Sequence, residues 1–356
     1  MRTAPPLSLP NHAQPAASPR PIGRWRWWIL VGGVLGLLAL AGLIGLAGRW
    51  AKAKLTNQYP PPGQLIDVGG YRLHLDCRGQ GSPTVLLEAG LNDFSVHWAR
   101  VQPAVAQFTQ VCTYDRAGLG WSDPSPHPRT PATMANELQT LLTRAGVTAP
   151  YVLVGHSFGG IQVRHFVRQA PGAVLGLVLV DSAHEAQGAR TPHLRTALAQ
   201  LTGQFRVLAL LNRWGLIALA PAQIPNRGLP ADALAQYRAR LAVSGYFEAA
   251  IAESRAFATS LDDRTTHQPV ALSDLPLIVI SRGQPAPVPG LSASEQGQYE
   301  ASWRRLQAEL AASSANSQQW IASQSGHDSH LQQPELVIAA IQQLVEDEQV
   351  EQGAAE

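Results

Sequence analysis

The first 26 residues show no hydrophobic period and are rich in Pro, Ala and Ser, which predicts a disordered tail. The pattern then changes abruptly. Residues 27–48 are 22 consecutive uncharged positions dominated by Leu, Gly, Ala and Ile. As a helix this run is long enough to cross a bilayer. Trp25, Trp27 and Trp28 at one end and Trp50 at the other suit an interfacial aromatic belt. A core helix of a soluble protein rarely stays apolar on every face for this long. A cleavable signal peptide is the rival reading, with small residues near Gly45 and Ala47, but its apolar core is normally shorter. The pattern therefore predicts an uncleaved transmembrane helix over 27–48, followed by a linker over 49–63.

From Gln64 onward the periods are those of an α/β domain. Residues 64–68 and 71–77 alternate and are joined by Gly69 and Gly70, a β-hairpin signature. Short apolar runs at 84–88, 111–114, 151–154, 174–180, 277–281 and 319–323 predict buried strands. Between them lie helical segments near 98–107, 133–144, 161–170, 294–312 and 334–345. Strands alternating with helices imply a mostly parallel sheet. The strand pattern stops between 186 and 272. There Leu194, Leu198, Leu201, Phe205, Leu208 and Leu211 recur at three- and four-residue steps, the period of an amphipathic helix, with further helices near 231–243 and 245–261. The expected organisation is an α/β core from 64–185 and 273–347, a helical cap from 186–272 covering the site, and a disordered tail over 348–356.

Charge is unevenly spread. Seven of the 27 Lys and Arg residues fall in residues 1–56, which hold no acid; the other 20 face all 25 acidic groups in the rest of the chain. An acidic body argues against nucleic acid as a partner. Both lysines, Lys52 and Lys54, lie in the leader, so Schiff-base chemistry in the body is excluded. No cluster at metal-ligand spacing and no dinucleotide fingerprint appears, so the sequence implies neither metal nor cofactor. The basic groups flanking the apolar run are balanced, Arg20, Arg24 and Arg26 before it and Arg49, Lys52 and Lys54 after it, so the positive-inside rule gives no orientation.

The chemistry concentrates at one turn. The apolar run ending at Val154 passes into Gly155, His156, Ser157, Phe158 and Gly159, the spacing G-x-S-x-G, and then into a helix closed by Pro171 and Gly172. A serine on such a strand-to-helix turn is lifted clear of the sheet, and side chains at the flanking glycines would clash with backbone. It also sits at a helix N-terminus, where backbone N–H groups favour developing negative charge. Ser157 is the candidate nucleophile.

Three stretches together resemble the α/β-hydrolase fold superfamily: Gly155 to Gly159; the Gly-rich turn Asp115, Arg116, Ala117, Gly118, Leu119, Gly120, Trp121, Ser122; and Ser325, Gly326, His327 ahead of Pro334. The resemblance covers roughly residues 64–347. It implies an eight-stranded sheet with only the second strand antiparallel, and a helical cap inserted after the sixth strand. It also implies a Ser, acid, His triad, with His327 as general base. His330 lacks the preceding glycine, and the elbow position of His156 points it away from the site, which reads as packing. The acid departs from the common pattern, because the stretch after the seventh strand (282–290) has no carboxylate. Some members carry the acid at the end of the sixth strand, where Asp181 stands; Glu295 is the alternative, and Asp328 is too near His327 in sequence. The oxyanion donors would be the N–H groups of Phe158 and Leu91. Asp115 and Arg116 would brace the turn beneath the site. The resemblance also sets the second and fourth strands side by side, which allows Cys77 and Cys112 to pair; two buried free thiols is the other reading. A disulfide favours an oxidising compartment. The expected location is therefore a bacterial inner membrane, with the body extracytoplasmic.

Serine at the nucleophile position sets this chain apart from the epoxide-hydrolase and dehalogenase branches, which resemble it but use aspartate there. The implied reaction is hydrolysis of a small-molecule or lipid-like carboxylic ester through an acyl-enzyme on Ser157, with apolar acyl groups favoured. The alternatives are a proline-iminopeptidase-like aminopeptidase and a non-catalytic binding module on the same fold.

Overall fold

The computed structural model describes residues 24–191, 193–243, 245–260, 272–288 and 291–355. Most of the expected N-terminal tail (1–23) and the last stretch of the expected cap (261–271) lie outside these residues. The strands are β1 (Gln64–Asp67), β2 (Arg72–Arg78), β3 (Thr84–Glu88), β4 (Val111–Tyr114), β5 (Tyr151–His156), β6 (Val174–Val180), β7 (Leu277–Arg282) and β8 (Ser317–Ala322). The longer helices are α1 (Arg24–Gln58), α2 (Pro131–Ala145), α3 (Phe158–Gln169), α4 (His193–Arg213), α5 (Ala231–Val243), α6 (Tyr246–Ser260), α7 (Ala293–Ala311) and α8 (Pro334–Ala355).

The eight strands form one sheet in the order β1-β2-β4-β3-β5-β6-β7-β8. β2 runs antiparallel to both its neighbours, and every other adjacent pair is parallel. Period-two alternation sends each strand's side chains to two cores. Leu153, Leu177, Leu179 and Val279 meet Leu138, Leu141 and Phe166 of α2 and α3 on one face. Val152, Val154, Val178, Val180 and Ile280 meet Val337 and Ile341 of α8 on the other. Burial on both faces explains why these strands read as unbroken apolar runs. The helices α4, α5 and α6 intervene between β6 and β7, which places the helical cap after the sixth strand. In the hairpin Gly69 (φ 124°) and Gly70 (φ 93°) supply the positive φ that links β1 to β2. Cys77 and Cys112 stand opposite each other in the β2–β4 register and form a disulfide.

Several boundaries differ from the expected ones. The linker over 49–63 is helical as far as Gln58, because no Gly or Pro interrupts residues 49–59, and Ala51 is buried against Ala218 and Ala242. The tail over 348–356 is likewise helical, α8 continuing to Ala355 through helix-forming Glu, Gln and Ala. The helix expected at 98–107 is instead a 3-10 turn (Ser95–Trp98) and a single helical turn (Gln102–Val105) with Pro103 inside it.

The chain divides after Ile44 into two units. In the first, the described residues belong to the apolar part of α1. Trp25–Gln58 is long and apolar enough to cross a membrane, and its most apolar window has no buried share, unlike a core helix. The second unit, from Gly45, holds the sheet, its flanking helices and the cap.

Candidate active site

The site lies at the C-terminal edge of the parallel strands, where the chain must turn sharply. β5 ends at His156, and α3 begins at Phe158. Ser157 between them has φ 51° and ψ −120°, a conformation that non-glycine residues rarely adopt. The flanking glycines make the turn possible. A Cβ on Gly155 would lie 2.6 Å from Gly160 Cα, and one on Gly159 would lie 2.5 Å from the Glu88 carbonyl oxygen. The strain is held by pairing: Ser157 N–H donates to the Val180 carbonyl at 3.1 Å, and Ser157 C=O accepts from Ala183 N at 2.9 Å.

β6 ends at Val180, and Asp181 (φ 39°) follows immediately, buried. Residue 327 arrives from the loop after β8. The structure brings these three side chains into one line. Ser157 Oγ lies 2.9 Å from His327 Nε2, and His327 Nδ1 lies 2.6 Å from Asp181 Oδ2. Ser157 thus donates to Nε2 while Nδ1–H donates to the carboxylate. Burial by itself would raise the Asp181 pKa. The His327 hydrogen bond and charge, the Arg282 guanidinium and the Trp303 indole outweigh it and hold the carboxyl at about 2. Burial disfavours a charged His327, but its bond to Asp181 prevails and raises its pKa above the ordinary 6.5. Glu295 is not brought to His327. It caps the N-terminus of α7, accepting from Ser292 N at 2.8 Å.

Phe158 N–H is the first of α3 and has no intrahelical acceptor. Leu91 follows β3 in the neighbouring loop and, with Ser157, His327 and Phe257, lines a cavity of about 360 Å³. Of the two residues proposed from the sequence as oxyanion donors, Leu91 lines that cavity and Phe158 adjoins Ser157 at the start of α3. His156 does not turn away from the site. Its Nε2–H donates to the His327 carbonyl at 3.1 Å, and its ring lies 4.8 Å from that of His327 and 4.2 Å from that of His330. Burial, reinforced by the neighbouring His327, lowers its pKa to about 4 and keeps it neutral behind the relay. Among the described residues, His156, Asp328 and His330 form one grouping of metal-ligand types, their ligand atoms within 4.8 Å of one another. No signal in the sequence spacing marked it.

A family model described as the alpha/beta hydrolase fold matches residues 83–259. The chain belongs to the α/β-hydrolase fold superfamily. Within that superfamily's reach, it is 38% identical over 136 residues to the protein named probable transporter efuK of Hormonema carpetanum, a match covering 36% of this chain and only 20% of that protein. It is 25% identical over 276 residues to the uncharacterized protein YqjL of Bacillus subtilis, covering 77% of this chain and 88% of that one. A thermophilic esterase from Thermogutta terrifontis shares the fold, with TM-score 0.55, 22% identity, and coverage of 80% of this chain and 96% of that one.

This α/β-hydrolase body contains supporting side chains, of which motif reading singled out Asp115 and Arg116 but not Arg282 and Trp303. Arg282, at the end of β7, points its charge at Asp181, Nη1 to Oδ2 at 2.9 Å. Trp303 of α7 donates to Asp181 Oδ1 at 2.7 Å, and its ring stacks on Arg282 at 4.4 Å. A basic residue directly after an apolar strand run was the available signal for Arg282; Trp303, in mid-helix, carried none. Arg116 lies in the turn after β4, fully enclosed, and its role is bracing. It binds the Ala89 and Gly90 carbonyls at 2.8 Å and 2.6 Å, Glu88, and Glu253 of the cap. Asp115 accepts from Ser95 N and Trp121 N, both at 2.9 Å, and holds His74.

Proposed function

We propose that this protein is a serine hydrolase of carboxylic esters. The observation that carries the reading is the unbroken relay from Ser157 Oγ through the His327 ring to the Asp181 carboxylate, 2.9 Å and 2.6 Å. In this reading Ser157 attacks the ester carbonyl as His327 Nε2 takes its proton. Asp181 keeps the ring's tautomer and stabilises the imidazolium that forms. The N–H groups of Phe158 and Leu91 bind the oxyanion, and the dipole of α3 adds to them. His327 returns the proton to the leaving alkoxide. It then draws a proton from water, which attacks the acyl-enzyme and releases the acid. About a third of the His327 side chain (35%) is exposed at the cavity, so water reaches it.

Apolar acyl groups are favoured because the cavity beside Ser157 is walled by Leu194, Leu198, Phe257 and Ala183. The uncharged helix over 27–48 is read as a membrane anchor. The Cys77–Cys112 disulfide supports an extracytoplasmic body, in a bacterial inner membrane.

The test compares the full chain with Ser157→Ala on p-nitrophenyl esters of two to sixteen carbons. Turnover should fall at least ~10⁴-fold in the variant, with unchanged circular dichroism. If the wild type hydrolyses no ester but cleaves N-terminal peptide substrates, the aminopeptidase reading replaces this one. If it turns over neither, the body is a binding module.

A further inference from the structure

Helix α4 carries two apolar stripes. The inner one, with Leu198 buried and Leu201, Phe205 and Leu208 beside it, faces the cap interior. The outer one, Val207, Leu210 and Leu211, has the spacing i, i+3, i+4 of one helix face, and Trp214 follows in the turn directly after the helix. These four are 59%, 59%, 36% and 56% exposed, and Leu216 and Leu219 extend the same chain segment at 37% and 46%. Clustered exposed apolar side chains of this kind mark an interaction surface rather than chance.

Two further observations say what covers it. The first is where the surface leads. Leu211 and Leu216 also wall an apolar cavity of about 640 Å³ inside the cap. Leu91 and Arg227 are walls of both that cavity and the 360 Å³ cavity at Ser157. The two cavities therefore adjoin at Leu91 and at Arg227, which is paired with Asp93, and the larger one lies between the outer face and the cavity at the serine. The second is what adjoins it. Gly48, the last residue of the uncharged run, lies against this corner so closely that a Cβ would meet the Trp214 carbonyl oxygen at 2.7 Å and Gly215 Cα at 2.8 Å. Ala51 and Leu55 continue the packing onto Ile217 and Ala218. Exposed Arg49, Lys54, Arg206 and Arg213 accompany the apolar side chains. Apolar side chains with Trp and a basic rim match the headgroup–acyl boundary of a bilayer.

We propose that this face of the cap, centred on Val207, Leu210 and Trp214, seats in the bilayer surface, and that an ester's apolar acyl chain passes from the membrane through the 640 Å³ cavity to Ser157. The inference rests on the esterase reading above for its substrate, but not for the seating itself.

The experiment uses the full chain in phosphatidylcholine–phosphatidylglycerol vesicles. A triple variant, Val207→Glu, Leu210→Glu and Trp214→Glu, changes only side chains that line neither cavity. It should keep wild-type turnover of water-soluble p-nitrophenyl acetate and lose about tenfold or more on 4-methylumbelliferyl oleate dissolved in the vesicles. In parallel, Leu210→Cys labelled with an environment-sensitive dye should shift to the blue and be quenched by brominated lipid. Equal rates on both esters for triple variant and wild type overturn the route. A dye open to aqueous iodide overturns the seating. A dye shielded from iodide yet untouched by brominated lipid points to a protein partner and overturns it too. If wild type hydrolyses neither ester, the esterase reading fails, while the dye still decides the seating.

Discussion

The guanidinium of Arg116, in the turn after β4, reaches Glu253 of cap helix α6 at 2.7 Å, although the two are 137 residues apart. The other carboxylate oxygen of Glu253 accepts from Asn92 N at 2.6 Å, in the same loop whose Ala89 and Gly90 carbonyls Arg116 binds. One buried cation thus joins the turn after β4, the loop after β3 and the cap. Arg116→Ala would leave Glu88 and Glu253 buried without their counter-charge. Removing one partner of such a pair costs about 3–5 kcal/mol. Urea unfolding should show that loss, and a midpoint matching wild type would mean the cap is held by other contacts.

The proton relay makes a directional claim about pH. In the proposed mechanism His327 acts as a base only when neutral, and its bond to Asp181 raises its pKa above 6.5. The rate constant kcat/KM should therefore fall as pH drops through a value above 6.5. In Asp181→Asn the raising influence is gone. The acid limb should move to lower pH while kcat falls on the order of 10⁴-fold. A limb that stays in place would count against Asp181 as the partner that sets the ring.

The same carboxyl links pH to folding. Held at about 2 against an ordinary 3.8, Asp181 contributes stability that is complete above pH 3.8 and is lost as pH falls toward 2. Thermal unfolding between pH 5 and 2 should show a shallower acid loss in Asp181→Asn than in wild type.

The elbow glycines leave no room for a methyl group. Gly159→Ala sets its Cβ 2.5 Å and 2.6 Å from the Glu88 and Ala89 carbonyl oxygens, and neither backbone can retreat without moving the loop beside Ser157. A destabilisation of about 1–3 kcal/mol is expected, with a loss of turnover larger than that figure alone explains. Gly172→Ala is the control, since a Cβ there meets nothing within 4 Å. Differential scanning fluorimetry and ester turnover measured on both variants separate the two effects.

The disulfide between Cys77 and Cys112 closes a loop with a sequence separation of 35. Loop-closure entropy for that length is worth about 3–4 kcal/mol. The double variant Cys77→Ser, Cys112→Ser should lose a comparable amount in urea unfolding. Wild type in dithiothreitol should match it. A variant as stable as oxidised wild type would show that the β2–β4 ladder needs no cross-link.

Much of this protein was legible in local sequence because the determining physics is local. Period two against 3.6 separated strands from helices, the break in that pattern at 186 marked the cap, and two glycines around Ser157 marked the turn. Helix ends were less legible. The extension of α1 to Gln58 depends partly on Ala51 finding Ala218 and Ala242, contacts a linear pattern does not contain.

Tertiary structure alone decided the partners. Asp181 and Glu295 both offer carboxylates, and the place of Asp181 at a strand end favours it without bringing it to His327. Strand order does: β6 and β7 lie side by side, so Asp181 stands beside Arg282, while His327 returns 146 residues later to meet it. Glu295 is consumed by a local cap on Ser292. The Arg116–Glu253 pair and the Trp303–Asp181 bond have the same origin. Periodicity and turn chemistry are written in neighbouring residues, whereas charge pairing across a hundred residues exists only once the sheet has assembled and water has been excluded from the space between.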